Sequence, residues 1–303
     1  MVGLLALVSA SSAMAAPTPK LGKTAVLNTE SGTVLVQERG ESGFDRLPRS
    51  PTLVRMPAVV DATRGDARVR TARGKGRADN DGVFWKGSFA LSQGNGARGE
   101  TVLKLTGGEA RAACTGLPDD AELRGLWGKG KGNFNSKGKH GSGSSRGTTW
   151  LTQDRCDGTR IEVKDGLVET DTQDGELVFE VGEDQVVQYR CDLKGVEPVS
   201  EGFCTSVYTT PSIGLWGAGI LTIGGSADAY DLCLTDPSGA ERCEPHPLSP
   251  PDEDGFRDSI VICQADRGAG AYSLRWLIQG VQLGPPLGFE VDTPVGQGCT
   301  SQP

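Results

Sequence analysis

The chain has 303 residues, 36% of them hydrophobic and only 6% aromatic, with 44 Gly, 17 Pro and a formal net charge of −8. That length holds one large core or two ordinary ones, and the Gly, Pro, Val and Thr usage excludes a long-helix protein in favour of short strands joined by turns, an all-β chain. The charge is uneven: residues 1–173 carry 25 Lys and Arg against 19 Asp and Glu, whereas 174–303 carry 6 against 20, which predicts a domain boundary near the change.

The opening "MVGLLALVSASSAMAAPTPK" has a short apolar run and an A-x-A site at Ala13-Met14-Ala15. This reads as a secretory signal peptide over residues 1–15, cleaved before Ala16, although no Lys or Arg precedes Lys20 and the basic n-region is missing. The run is well short of the roughly 20 residues that cross a bilayer. A secreted or cell-surface protein that is not membrane-spanning is therefore expected.

"TAVLNTESGTVLVQ" (24–37) alternates apolar and polar residues and reads as a strand. "TLVRMPAVVDATRGDARVRTA" reads as strand, Thr-Arg-Gly-Asp turn and strand, with Ala67, Val69 and Thr71 on one face. Between the strands "GVFWKGSFALSQ" and "ETVLKLTGG" lies "GNGARG" (94–99), which matches G-x-G-x-x-G. A dinucleotide site needs a helix to follow that pattern; a strand follows, so the segment reads as a hairpin loop and no cofactor is expected. "DDAELRGLW" (119–127) is the best helical candidate of this half.

Residues 128–146 form a basic, Gly-rich run with Lys129, Lys131, Lys137, Lys139 and Arg146 and no acid among them. It reads either as a solvated loop or as a grip on a polyanion such as a cell-wall polymer, through charge contacts that carry no sequence information; with Phe134 as its one aromatic, no specific nucleic-acid binding is expected. At its end "GSSRG" (143–147) matches the G-x-S-x-G elbow of serine hydrolases. The flanking sequence lacks the buried strand before and the helix after, so a hydrolase using Ser144 or Ser145 is the minor alternative and a non-enzymatic protein is expected.

Strands continue through "TTWLTQ", "TRIEVKDGLVETD", with Asp165-Gly166 as a hairpin signal, and "ELVFEVGEDQVVQYRC". From about 195 onward "GFCTSVYTT", "GILTIGG", "AYDLCLTD", "DSIVICQAD", "AYSLRWLIQG" and "LGFEVDT" repeat the pattern, and Tyr272, Leu274, Trp276 and Ile278 mark one buried face. This half reads as a compact β-sandwich, with the acidic, Pro-rich "PHPLSPPDEDG" as a loop. Three acidic turns, "ADNDG", "DTQDG" and "DEDG", offer oxygen ligands for calcium but lack a full loop with a downstream bidentate Glu, so ordinary turn chemistry is the reading and no metal is expected.

Eight cysteines form an even set in an exported chain and favour disulfides over zinc, since no C-x-x-C pair occurs and only His140 and His246 are present. Cys233 and Cys243 flank a Asp-Pro-Ser-Gly turn and are expected to pair. Cys114 and Cys156 pair by elimination if each half keeps its own bridges. Cys204 and Cys263, with Trp216 twelve residues after Cys204, resemble the inter-sheet bridge of immunoglobulin-type sandwiches, although Val261 stands where such domains have Tyr. Cys191 and Cys299 remain as the fourth pair.

The segment Arg146-Gly147-Thr148-Thr149-Trp150 followed by "DRCDGTRIEVKDGLVETD" resembles the FecR-type domain, whose most recognisable piece is a Val-Arg-Gly-Thr turn leading into a strand and then D-G-T-x-x-x-V-x-x-G-x-V. Asp157-Gly158-Thr159, Val163, Gly166 and Val168 fall at the matching places; Ser145 stands where the family has Val. The resemblance spans residues 24–190, and the "LWG" and "RGT-x-W-L-x-x-D-R-C-D-G-T" arrangement is similar to a secreted actinobacterial-type subgroup. It implies a stacked all-β extracytoplasmic module, which in some members relays a signal to a sigma factor through a membrane helix, and an architectural role for Arg146, Gly147, Thr148 and Trp150. The expectation is an exported FecR-like protein, with domains at 24–190 and 195–303, that binds or senses a surface ligand or protein. A structural wall-associated protein using the basic run is the alternative.

Overall fold

The computed structural model describes residues 16–96, 98–107, 114–145, 147–172, 178–192, 199, 201–292 and 300–301. The signal peptide, Arg146 and Cys299 lie outside the described residues. The first strands are β1 (Thr24–Glu38), β2 (Asp45–Arg46), β3 (Thr52–Arg55), β4 (Ala58–Thr71), β5 (Asn80–Trp85), β6 (Ser88–Gln93), β7 (Thr101–Thr106) and β8 (Glu122–Lys131). Then come β9 (Phe134–Lys137), β10 (Gly141–Ser145), β11 (Thr148–Arg155), β12 (Gly158–Asp165), β13 (Val168–Thr172), β14 (Val178–Val181) and β15 (Val186–Asp192). The second half holds β16 (Gly202–Thr210), β17 (Leu215–Ile223), β18 (Ala229–Thr235), β19 (Glu241–Pro247), β20 (Phe256–Gln264), β21 (Gly270–Ile278), β22 (Val281–Gln282), β23 (Leu287–Val291) and β24 (Thr300–Ser301). The chain is all-β.

The long β1–β4 hairpin organises the first half. The sequence places a turn at Thr63-Arg64-Gly65-Asp66, but β4 runs through it: its first part pairs with β6 and its second part with β5. The strand bends there because Gly65 lies opposite Gly32. A Cβ on Gly32 would lie 2.3 Å from the Arg64 carbonyl oxygen, and one on Gly65 would lie 2.6 Å from that of Ser31, so only glycine permits so close an approach of the two backbones. From the bend two layers diverge. One runs β5, β8, β11, β12, β15 and the other β6, β7, β9, β10, β13, β14.

The chain repeatedly changes layer at glycine corners. Asp165-Gly166, expected as a hairpin, is one of these: Gly166 has the anticipated positive φ of 88°, yet β12 pairs with β11 and β15 whereas β13 pairs with β10 and β14. "GNGARG" does join a true hairpin, β6 to β7. Between the layers sits the first core, with Phe84, Phe89, Leu91, Leu103, Phe134, Trp150, Ile161 and Tyr189 all at 0–1% exposure.

The predicted helix at 119–127 is a turn followed by strand β8, which pairs with β11 from Glu122 onward and with β5 from Trp127 onward. Intrinsic preference for a short helix is worth little against such a ladder. The second half contains the expected sandwich: Phe203, Val207, Trp216 and Ile220 on β16 and β17 pack against Tyr272, Leu274, Trp276, Ile278 and Phe289 of the second sheet. That sheet is β18, β19, β21, β22 and β23, and the predicted loop at His246-Pro247 is the end of its edge strand β19, where proline needs no ladder bond. Near residue 195, where the sequence suggests a boundary, β15 and β16 are paired over seven residues. The first-layer sheet therefore continues through β16, β17 and β20.

The disulfides follow register. Cys114–Cys156 and Cys233–Cys243 are formed as expected. The expected Cys204–Cys263 and Cys191–Cys299 pairs are replaced by Cys191–Cys204, because these two residues are direct partners on β15 and β16 with Cα atoms 4.1 Å apart. Cys204 belongs to the first core and Cys263 to the second, so their side chains leave opposite faces of one sheet and cannot meet. Cys263 is also disulfide-bonded. Non-reducing peptide mapping is expected to return Cys191 linked to Cys204; recovery of a Cys204–Cys263 peptide would overturn the assignment.

Candidate functional site

The basic run does not form a loop. Lys129 and Lys131 alternate along β8 with Gly128 and Gly130, and the alternation has a physical reason on each side of the sheet. A Cβ on Gly128 would lie 2.8 Å from Phe84 Cε1 and 3.0 Å from Trp150 Cη2, and one on Gly130 would lie 3.0 Å from Phe134 Cε2. The glycines give the aromatic rings room, and Phe84 meets Phe134 and Trp150 edge-on at 5.1 and 6.0 Å. The lysines consequently project from the outer face.

Register defines that outer face. Trp85 on β5 lies opposite Trp127 on β8, and Trp127 lies opposite Leu151 on β11. The next row is Arg68, Val83, Lys129 and Thr149, and the one after it Arg70, Asp81 and Lys131. The two tryptophan rings are nearly parallel, 13° apart with centroids 6.2 Å apart, and both stay partly exposed. Beside them a cleft of about 460 Å³ is lined by Arg68, Asp81, Lys129, Lys131, Thr148 and Asp165, among others.

The charges in this cleft are of three kinds, Asp165 being a carboxylate with no ion pair among the described residues. The Arg68 guanidinium donates to Asp81 at 2.9 and 2.8 Å and to Glu30 at 3.1 Å, and these bonds push its pKa further above its already high ordinary value. Lys129 and Lys131 form no ion pair with any described residue. Two free ammonium groups, about 7 Å apart along one strand by β geometry, therefore stand next to the aromatic pair.

The other predicted basic residues lie elsewhere. Lys137 projects from β9 on the second layer, beside Lys104 in the parallel register, and Lys139 follows in the turn, where its backbone N–H donates to Asp154 at 2.8 Å. The run thus divides between two layers, and Arg146 lies outside the described residues. Trp85 lies in a segment read as a strand, but its pairing with Trp127 is hidden because 119–127 reads as a helix; with that segment in a strand, burial of Phe84 and Leu126 puts Trp85 and Trp127 outside.

Ser145 is fully buried, while Ser144 lines a second cleft of about 400 Å³ together with Gly94, Gly96, Arg98, Glu100 and Glu169. The two glycine motifs singled out in the sequence meet there. Neither serine has an imidazole. His140 is 5% exposed and its Nδ1 accepts the Cys191 backbone N–H at 3.2 Å, while burial, with the nearby Arg190 and Lys139 charges, pushes its pKa down to about 3. His246 lies against Tyr230 in the second sheet at 5.6 Å.

The Asp-Gly-Thr motif is a buried polar knot at the β11–β12 turn. Asp154, 1% exposed, accepts from Arg124 Nε at 2.7 Å, Thr159 Oγ1 at 2.6 Å and the Lys139 N–H, and Asp157 accepts two bonds from Arg155 at 3.1 Å. A Cβ on Gly158 would lie 2.2 Å from the Tyr189 carbonyl oxygen, which fixes glycine there. No protein-family model, curated protein or solved structure matches the chain. Of the acidic turns, Asn80 is a buried hub holding Thr71, Thr101 and Gly99, Asp252 caps its own turn through the Asp254 and Phe256 N–H groups, and part of "DTQDG" lies outside the described residues. Among the described residues no group of three His, Cys, Asp or Glu converges as a metal site, and no helix is long and apolar enough to cross a membrane.

Proposed function

We propose that this chain is an exported, non-enzymatic FecR-like protein whose first-layer outer face binds a ligand at the cell surface. The observation that carries the reading is the outer face built by β5, β8 and β11, where Lys129 and Lys131 stay unpaired beside the Trp85–Trp127 pair. Partly exposed tryptophans next to unneutralised cations are the composition of a recognition surface more than of a solvated one. Oxidation of every described cysteine agrees with an extracytoplasmic location, and the buried Asp154–Thr159 knot and inward Trp150 give the FecR-like motif an architectural role. A serine hydrolase is disfavoured, because Ser145 is buried and neither serine has a histidine beside it.

Expressed with residues 1–15 in place, the protein is expected outside the cytoplasm, beginning at Ala16, with its cysteines oxidised and unlabelled by a fluorophosphonate probe. Retention in the cytoplasm with free thiols would defeat the export reading; labelling lost in Ser144→Ala or Ser145→Ala would restore the hydrolase.

A further inference from the structure

The proposed surface-binding role leaves the ligand open, and the outer face narrows it. Its first row is apolar: Trp85 and Trp127 are partly exposed, with their rings stacked 13° from parallel and centroids 6.2 Å apart. Its next two rows carry the free ammonium groups of Lys129 and Lys131. From Trp127 to Lys131 the distance along the strand is about 13 Å, enough for more than one sugar residue. Exposed Gly147, whose missing Cβ would meet nothing within 4 Å, leaves the far rim open. The cleft at β12 is net acidic, with Arg160 and Lys164 against Glu162, Asp184, Glu290 and Asp292, and Glu162 accepts from both of its cations.

From this arrangement we infer that the β5–β8–β11 face binds an acidic polysaccharide, with a sugar ring packed against the exposed part of the Trp85–Trp127 pair and its anionic groups on Lys129 and Lys131. A pyranose ring has an apolar C–H face and a polar edge, which matches an indole surface bordered by ammonium donors. A polyanion without sugar would use the lysines and leave the tryptophans idle. A neutral glycan would use the tryptophan pair and leave two desolvated cations unpaired, at a cost. The inference rests on the surface-binding reading for its setting, since the charge and aromatic geometry alone name the ligand class.

The test uses the purified mature chain and three probes: polygalacturonate, inorganic polyphosphate and a neutral β-glucan. Polygalacturonate is expected to bind with a change in tryptophan fluorescence and to outcompete the other two. Lys129→Gln with Lys131→Gln is expected to weaken binding at least about tenfold, two charge-assisted contacts being lost, and Trp127→Leu to weaken it at unchanged salt. The control is Lys104→Gln with Lys137→Gln, the same charge change on the second layer, which is expected to leave binding intact. No binding of polygalacturonate, equal weakening by both lysine pairs, or tight binding without a fluorescence change overturns the inference; the last reading stands even if Trp127→Leu fails to fold. Failure in this assay leaves export untouched, whereas cytoplasmic retention defeats the setting and not the measured affinity.

Discussion

Between pH 6.5 and pH 3 the folded chain is expected to lose about 4–5 kcal/mol of stability through His140 alone. The residue is buried at the β9–β10 turn beside the Cys191–Cys204 bridge, and its Nδ1 is occupied by the Cys191 N–H. Burial is the main reason its pKa falls to about 3, with Arg190 and Lys139 adding repulsion and Asp154 opposing them. Above pH 6.5 both folded and unfolded chains hold a neutral imidazole, so the stabilisation is complete there. As the pH falls the unfolded chain takes up a proton that the folded chain refuses, at about 1.4 kcal/mol per pH unit, until the folded pKa is reached.

Two carboxyls act in the opposite sense at the acid end. Asp157 and Asp171 have pKa values raised by burial, so the folded chain binds their protons first and recovers some stability as the pH falls toward theirs. The His140 slope is therefore read most cleanly just below pH 6.5, before the carboxyls begin to take up protons. Urea unfolding at pH 7, 6 and 5 is expected to show this slope in the parent chain and about one proton less of it in His140→Asn, whose Oδ1 matches the position of the Nδ1 that accepts from Cys191. Parallel stability curves for the two proteins would show that His140 is not the titrating group.

The strands were legible wherever inward positions carry large apolar side chains, as in Tyr272, Leu274, Trp276 and Ile278. The run 128–137 hid its strands because its inward positions, Phe134 apart, are glycine and serine: much of the volume between the layers is filled by Phe84 and Trp150 from neighbouring strands, and no local pattern shows that. The glycine corners have the same obstacle. Gly166 announces positive φ whether the chain turns back on its neighbour or crosses to the other layer, and the choice depends on strands far away in sequence. Cysteine pairing failed at Cys204 for a related reason, since a partner thirteen residues away in the adjacent strand is chosen by register, which spacing does not encode. The lysines of the candidate face were named from the sequence, but their division between two layers and their tryptophan neighbours needed the pairing of β5 with β8.

Trp150→Ala is expected to cost about 3–5 kcal/mol, toward the upper end for a core aromatic. Trp150 is 1% exposed, meets Phe84 edge-on at 6.0 Å and donates through Nε1 to Ser136 Oγ at 2.7 Å. The usual relief for such a cavity is collapse of neighbouring side chains, but the residue facing the ring across the ladder is Gly128, which has none to offer. Truncation also strips Ser136 of its donor, though Thr152 still shares a bond with that hydroxyl, so the hydrogen-bond share of the loss is the smaller one. Trp150→Phe keeps most of the ring and is expected to cost about 1–2 kcal/mol. Urea denaturation separates the two, and a loss below about 1.5 kcal/mol for the alanine variant would mean that the layers close over the gap after all. Because Trp150 fills the inner side of the ladder whose outer side carries Trp127 and Lys129, a folded Trp150→Phe chain is expected to bind ligand as the parent does: the motif that marks the family-like segment sets the stability of the face, and the residues on the opposite side of the same strands set what it holds.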